Sequence, residues 1–223
     1  MNIELLLSLA IIHAVALASP GPDFALVVKL ASQESRKTAI ASAVGISIAI
    51  LIHTILSLTG VSLIIKSSQT LYMIVQMLGA SYLAWMGFGA VKGALQHWKA
   101  RVSVDSNTPK LNQLTPTQGF MQGLWTNLLN PKAMVFFIIL FSAMITPDVS
   151  LMTKLMATVI MLVLSLIWFV FIALILSKPI IQQRVIKAAP AINLCTGLLF
   201  MLVSSAIMYN LLATAMVFSE STI

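Results

Sequence analysis

The sequence predicts an all-α integral membrane protein of six transmembrane helices, arranged as two inverted three-helix repeats with broken first and fourth helices. Three observations carry this expectation. Of 223 residues, 59% are hydrophobic and only 9% are charged, against roughly 25% charged residues in an ordinary soluble domain. Six apolar stretches occupy most of the chain, and each exceeds the roughly 20 residues that a helix needs to cross the hydrocarbon. The first and fourth stretches are interrupted by a proline placed directly before a charged residue, Pro22-Asp23 and Pro131-Lys132.

The first span is read at about 3–32. Its apolar run from Leu5 to Ala18 ends in Ala16-Leu17-Ala18, the small-x-small form of a signal-peptide cleavage site. No Lys or Arg precedes Lys29, and Glu4 stands where a basic n-region belongs, so the segment is expected to stay as a transmembrane helix. The second span covers about 38–65. The third, about 69–95, follows Ser67 and Ser68, and the fourth, about 117–147, follows Thr115 and Pro116. The fifth, about 150–177, follows Asp148, and the sixth, about 191–217, begins behind Pro190. Serine, threonine and aspartate cap helix N-termini, and proline fits the first helical turn. Gln96 to Thr115, with Lys99, Arg101, Asn107, Pro109 and Lys110, reads as a flexible polar loop. The chain is thus expected to be one transporter-sized membrane domain: repeat one at about 3–95, a cytoplasmic loop at 96–116, and repeat two at about 117–217.

With six crossings, one side receives Lys29, Arg36, Lys37, Lys92, Lys99, Arg101, Lys110, Lys178, Arg184 and Lys187, and the other only Lys66 and Lys154. The positive-inside rule places the ten in the cytoplasm and both termini outside, periplasmic in a bacterial inner membrane. That distribution also accounts for the formal charge of +7, so no nucleic-acid partner is expected. Cys195 is the sole cysteine; no thiol redox chemistry, metal-ligand cluster or cofactor is expected. Signatures of the GxSxG or HExxH kind are missing, which argues against an enzyme.

Two breaks organise the chemistry. Ser19-Pro20-Gly21-Pro22-Asp23 removes backbone donors in mid-span, and Asn127-Leu-Leu-Asn130-Pro131-Lys132 does so in the fourth span. Each lies in the first helix of a three-helix half, and an odd number of helices per half makes the second an inverted copy of the first. Paired discontinuous helices in such repeats mark the binding site of secondary transporters. Freed N–H groups and positive helix ends suit an anion, and freed carbonyls suit a cation; a zwitterionic amino acid matches both. Asp23 is the one acidic residue well inside a span. It could receive an ammonium, carry the coupling proton, or form a structural ion pair with Lys132. Lys132 in turn could hold a carboxylate. Gln118, Gln122, Thr126 and Asn130 recur every fourth residue beside Asn127, giving a polar face for the permeation path or for helix-to-helix hydrogen bonds. His53, and below it His13, are candidate proton relays or interhelical bonds. Gly79, Gly87, Gly89 and Gly93, with Ala80 and Ala84, form a small-residue face suited to close packing, within one chain or between two.

Ser19-Pro-Gly-Pro-Asp-Phe24, Ser35-Arg36-Lys37 before a Gly45-containing helix, Gly79-Ala-Ser-Tyr-Leu-Ala-Trp-Met-Gly87, and Gly119-Phe with Gly123-Leu and Asn127-Leu-Leu-Asn-Pro-Lys132 together resemble the LysE/RhtB family of bacterial amino-acid exporters. The resemblance covers nearly the whole chain, with the threonine and homoserine branch most alike. It implies amino-acid efflux across the inner membrane, driven by the proton-motive force, and a homodimer.

The expected function is therefore a secondary transporter exporting small amino acids by proton antiport with alternating access. Pro20, Gly21, Pro22, Asp23, Gln122, Asn127, Asn130, Pro131 and Lys132 are the expected substrate site, and Asp23 and His53 the proton-coupling residues. The alternatives are a passive small-solute channel, which needs a continuous polar lining, and a non-transporting assembly subunit, which leaves the aligned breaks unexplained.

Overall fold

The computed structural model describes residues 2–19, 21–99, 114–146, 148–175 and 179–220, without the side chains of 61–67, 69, 97–99, 179–187, 189 and 214–220. Pro20, Lys178 and most of the expected polar loop, with Arg101, Asn107, Pro109 and Lys110, lie outside the described residues.

All regular structure among the described residues is helical: α1 (Ile3–Ala18), α2 (Pro22–Gln33), α3 (Arg36–Ser67), α4 (Gln69–Lys99), α5 (Pro116–Leu128), α6 (Pro131–Met144), α7 (Leu151–Ile175) and α8 (Pro179–Glu220). Four helices can cross a membrane alone, by length and apolarity: α3, α4, α7 and the Pro190–Ala213 part of α8. The pairs α1/α2 and α5/α6 bend by 56° and 57° at breaks of a few residues and bring the count to as many as six if each pair is one span. The expected interruptions therefore appear where Pro22 and Pro131 open the second member of each pair. Proline lacks the N–H that would continue the ladder, and its fixed φ suits a first helical turn.

Helix starts follow the sequence signals with two exceptions. Thr115 and Gln118 form a reciprocal capping box at α5, and Ser68 Oγ accepts from Leu71 N at 3.2 Å at the start of α4. At α7 the cap is Ser150, whose Oγ accepts from Thr153 N at 3.3 Å, and not Asp148. α8 runs through Pro190 from Pro179; one proline removes a single hydrogen bond, and a long helix can absorb that.

Two corners of the molecule are built alike. Ser35 Oγ meets Thr38 Oγ1 at 2.9 Å at the start of α3, and Thr38 Oγ1 donates to Leu114 O, just ahead of α5, at 2.9 Å. Ser150 Oγ meets Thr153 Oγ1 at 2.9 Å at the start of α7, and Thr153 Oγ1 accepts from Asn2 N, just ahead of α1, at 3.3 Å.

Backbone-to-backbone packing fixes the α3–α5 and α4–α8 pairs. A Cβ at Gly123 would lie 2.1 Å from Ser42 O, one at Gly45 2.1 Å from Phe120 O, and one at Gly119 2.5 Å from Thr38 O. Gly87 and Gly197 face each other in the same way, each 2.7 Å from the other's carbonyl oxygen once a Cβ is added. Such approach is open only to glycine, and it supplies the van der Waals contact that holds helices together where no water is expelled. The small-residue face of α4 is thereby divided. Gly79 and Gly87 pack inward, whereas Gly89 and Gly93 have nothing among the described residues within 4 Å of an added Cβ. Two residues along a helix turn the side chain by 200°, so among the described residues the Gly89/Gly93 pair takes no part in the packing that Gly87 makes.

Candidate substrate site

The two breaks meet at the centre of the bundle. Asp23, in the first turn of α2, accepts two hydrogen bonds at Oδ2, from Asn127 Nδ2 at 3.0 Å and Asn130 Nδ2 at 3.1 Å. Both asparagines are buried, at 2% and 5% exposure. Asn130 does a second job as the N-cap of α6, its Oδ1 accepting from Lys132 N at 3.0 Å. The asparagine spacing has a local reason: α5 ends at Leu128, Asn130 N bonds back to Asn127 O at 3.0 Å, and the chain restarts at Pro131. This short bridge turns both side chains toward α2.

Lys132 does not form the ion pair with Asp23 that was one of its alternatives. Its ammonium donates to Ser19 Oγ at 2.7 Å, on the other side of the first break, and stands 5.8 Å from the Phe200 ring centroid, a cation–π distance. Gly21 leaves the ammonium room, since a Cβ there would sit 3.5 Å from Nζ. Asp23 and Lys132 are thus held on separate neutral partners, and each keeps capacity for a further one. Asp23 Oδ1 and Asn127 Oδ1 are buried with no hydrogen-bond partner among the described residues.

These groups line a narrow cavity of about 60 Å³ with Ser19, Gly21, His13 and an apolar wall that includes Phe24, Phe136, Phe137, Phe169 and Phe200. That is room for a few waters. A wider recess of about 580 Å³ adjoins it, sharing Ser19, Lys132 and Phe200 and running along α4 and α8 past Gly89, Gly93, Lys92 and Asn193. Ser19, Lys132 and Phe200 stand between the two spaces.

Of the expected site residues, Gly21, Asp23, Asn127, Asn130 and Lys132 line the cavity. Pro22 and Pro131 are exposed helix starters that shape it without lining it. Pro20 lies outside the described residues. Gln122 is exposed and Gln118 is taken up in the capping box, so the amide stripe of α5 does not face the cavity. The buried face is Gly119, Gly123 and Asn127, one residue around the helix. Glycine carries the contact because the α3 backbone lies against it, and this turns the glutamines outward. His53 is buried behind the site and donates from Nε2 to Asn127 O at 3.2 Å, its ring stacked on Phe137 at 6.0 Å. His13 and Ser19 are cavity residues that the expected set leaves out. Ser19 was visible in the break motif, and no pattern in the sequence separated His13 from an ordinary interhelical histidine.

The model of the LysE type translocator family matches residues 14–211. This chain belongs to the LysE-type translocators. It is 32% identical over 196 residues to the protein named threonine efflux protein in Escherichia coli K12, covering 88% of this chain and 93% of that one. The Salmonella typhi threonine efflux protein shows the same identity and coverage. An uncharacterized membrane protein of Haemophilus influenzae is 27% identical over 206 residues, 92% of this chain and 97% of that one. No solved structure matches. The translocator is therefore a multi-pass membrane transport protein, not an enzyme, and the resemblance read from its motifs holds.

Proposed function

We propose that this translocator exports a small zwitterionic amino acid, threonine or homoserine in type, from the cytoplasm across the bacterial inner membrane. One observation carries the reading: two buried oxygens without a partner among the described residues, Asp23 Oδ1 and Asn127 Oδ1, share a cavity with the Lys132 ammonium where two broken helices meet. A substrate ammonium would take the two oxygens. Its carboxylate would take Lys132 and the N-terminal turns of α2 and α6, whose unpaired N–H groups and positive dipole ends suit an anion. The 32% identity to proteins named for threonine efflux supports the direction and the substrate class.

Proton antiport follows if Asp23 holds either a proton or the ammonium, since one carboxylate oxygen cannot serve both. Release of substrate outside would then admit a proton for the return. His53, bonded to the backbone of Asn127, is the second proton-handling candidate. Alternating access would use two inverted repeats, α1–α4 and α5–α8. The matched Ser-x-x-Thr corners at Ser35/Thr38 and Ser150/Thr153, each receiving the start of the other half, support that symmetry. Both termini would then face the periplasm. Lipid, and a second copy of the chain as the family resemblance implies, would cover exposed side chains such as Trp85, Phe88 and Leu202.

The test is uptake of labelled L-threonine by proteoliposomes of the purified protein, with and without an imposed pH gradient. Gradient-driven accumulation that disappears in Asp23→Asn is the expected result. Equal, non-concentrative flux in all conditions would instead identify a passive channel.

A further inference from the structure

His13 is 1% exposed on α1 and lines the same cavity as Asp23 and Asn127. Its hydrogen-bond neighbours favour one tautomer of the ring. Ser165 Oγ has one hydrogen and donates it to Met161 O at 2.6 Å. With its hydrogen there, that hydroxyl accepts from His13 Nε2, 3.0 Å away, and this arrangement assigns the ring proton to Nε2. In a neutral imidazole the other nitrogen is then a lone-pair acceptor, and Nδ1 is buried without a partner among the described residues. Phe136 and Phe137 flank the ring with centroids 6.5 Å and 5.7 Å away, so those sides offer no donor.

We propose that His13 Nδ1 accepts the side-chain hydroxyl of the substrate, making the site selective for hydroxylated amino acids over isosteres without the OH. This rests on the export reading above and assigns the side-chain end of the same site. The ammonium belongs with the charged carboxylate of Asp23, at the break. His13 lies six residues ahead of Ser19, about 9 Å of helix away from the first break. An uncharged acceptor between aromatic rings matches a neutral donor and leaves a lysine- or arginine-like side chain without a counter-charge. A site that bonds a substrate hydroxyl discriminates against analogues lacking it far better than an apolar pocket can, because its own polar atom is left unpaired.

The experiment compares unlabelled L-threonine with L-valine, which replaces the hydroxyl by a methyl, as competitors of labelled threonine transport in proteoliposomes. Wild-type protein is expected to favour threonine by about tenfold or more. Two variants separate recognition from structure. In His13→Gln the amide lies where Nε2 was, keeping the Ser165 bond that ties α1 to α7 while removing the acceptor; the preference should fall to near one. In His13→Asn the amide lies where Nδ1 was; the preference should remain while overall activity drops. An unchanged threonine-to-valine ratio in His13→Gln overturns the proposal, as does a wild-type protein that moves threonine and accepts valine equally well. In both of those cases export itself stands. A wild-type protein that transports and binds neither amino acid removes the export reading and this proposal with it.

Discussion

Replacing Gly123 by alanine tests the helix contact that places the site. The new Cβ would lie 2.1 Å from Ser42 O and 2.8 Å from Ser42 C. The carbonyl oxygen falls short of ordinary van der Waals separation, about 3.4 Å, by roughly 1.3 Å, and the obstructing atoms are backbone, not the end of a flexible side chain. α5 must therefore move off α3. Asn127 follows Gly123 by one turn, and its 3.0 Å bond to Asp23 cannot survive a shift of an ångström. Overpacking a core costs typically 1–3 kcal/mol, and a backbone clash belongs at the upper end. For a chain of this size that corresponds to a loss of about 2–12 °C in Tm. Gly93→Ala is the control, because no described residue lies within 4 Å of its added Cβ; it should be neutral or slightly stabilising through helix propensity. The assay is thermal unfolding of both purified variants in the same detergent, followed by threonine transport. Equal melting and equal transport for Gly123→Ala and Gly93→Ala would refute the account of the α3–α5 contact.

Asp23→Asn should fold and melt close to wild type yet lose gradient-driven accumulation, checked in the proteoliposome assay. Asn130→Ala removes a donor to the Asp23 carboxylate and the cap of α6; a lost bond to a charged group costs about 1.5–3 kcal/mol, to be seen as a lower Tm together with a raised KM for threonine. Gln122→Ala, on the exposed side of α5, should leave transport and Tm unchanged within error. A strong transport defect there would restore the amide stripe as part of the path. His53→Phe keeps the stack on Phe137 but deletes the 3.2 Å bond to Asn127 O; the expected effect is a several-fold loss of transport with pH dependence preserved if Asp23 alone carries the proton.

Much of this protein is legible without its fold. Apolar length alone marks the membrane helices, since a bilayer sets how many residues must lack charge. The prolines locate both breaks to the residue, because a missing N–H acts on the backbone whatever surrounds it. Asp23, Asn127, Asn130 and Lys132 follow, being polar groups beside those breaks where unwound backbone must be buried or line a cavity. What a sequence does not encode is which way each helix is turned. Gln118 and Gln122 repeat with the period of a buried polar face, yet Gly119 and Gly123 take the inside because α3 offers them a backbone and no space. The same contact geometry sends Gly87 inward and leaves Gly89 and Gly93 open. Lys132 was open to a carboxylate or to Asp23, and the folded chain sets its ammonium on Ser19 Oγ instead. His13 is tied into the bundle by Ser165, 152 positions away, whose own bond to Met161 is what assigns the ring proton to Nε2. Composition and backbone rules are local and survive in one dimension; helix rotation and the pairing of charges depend on steric fit between segments that meet only in the folded chain.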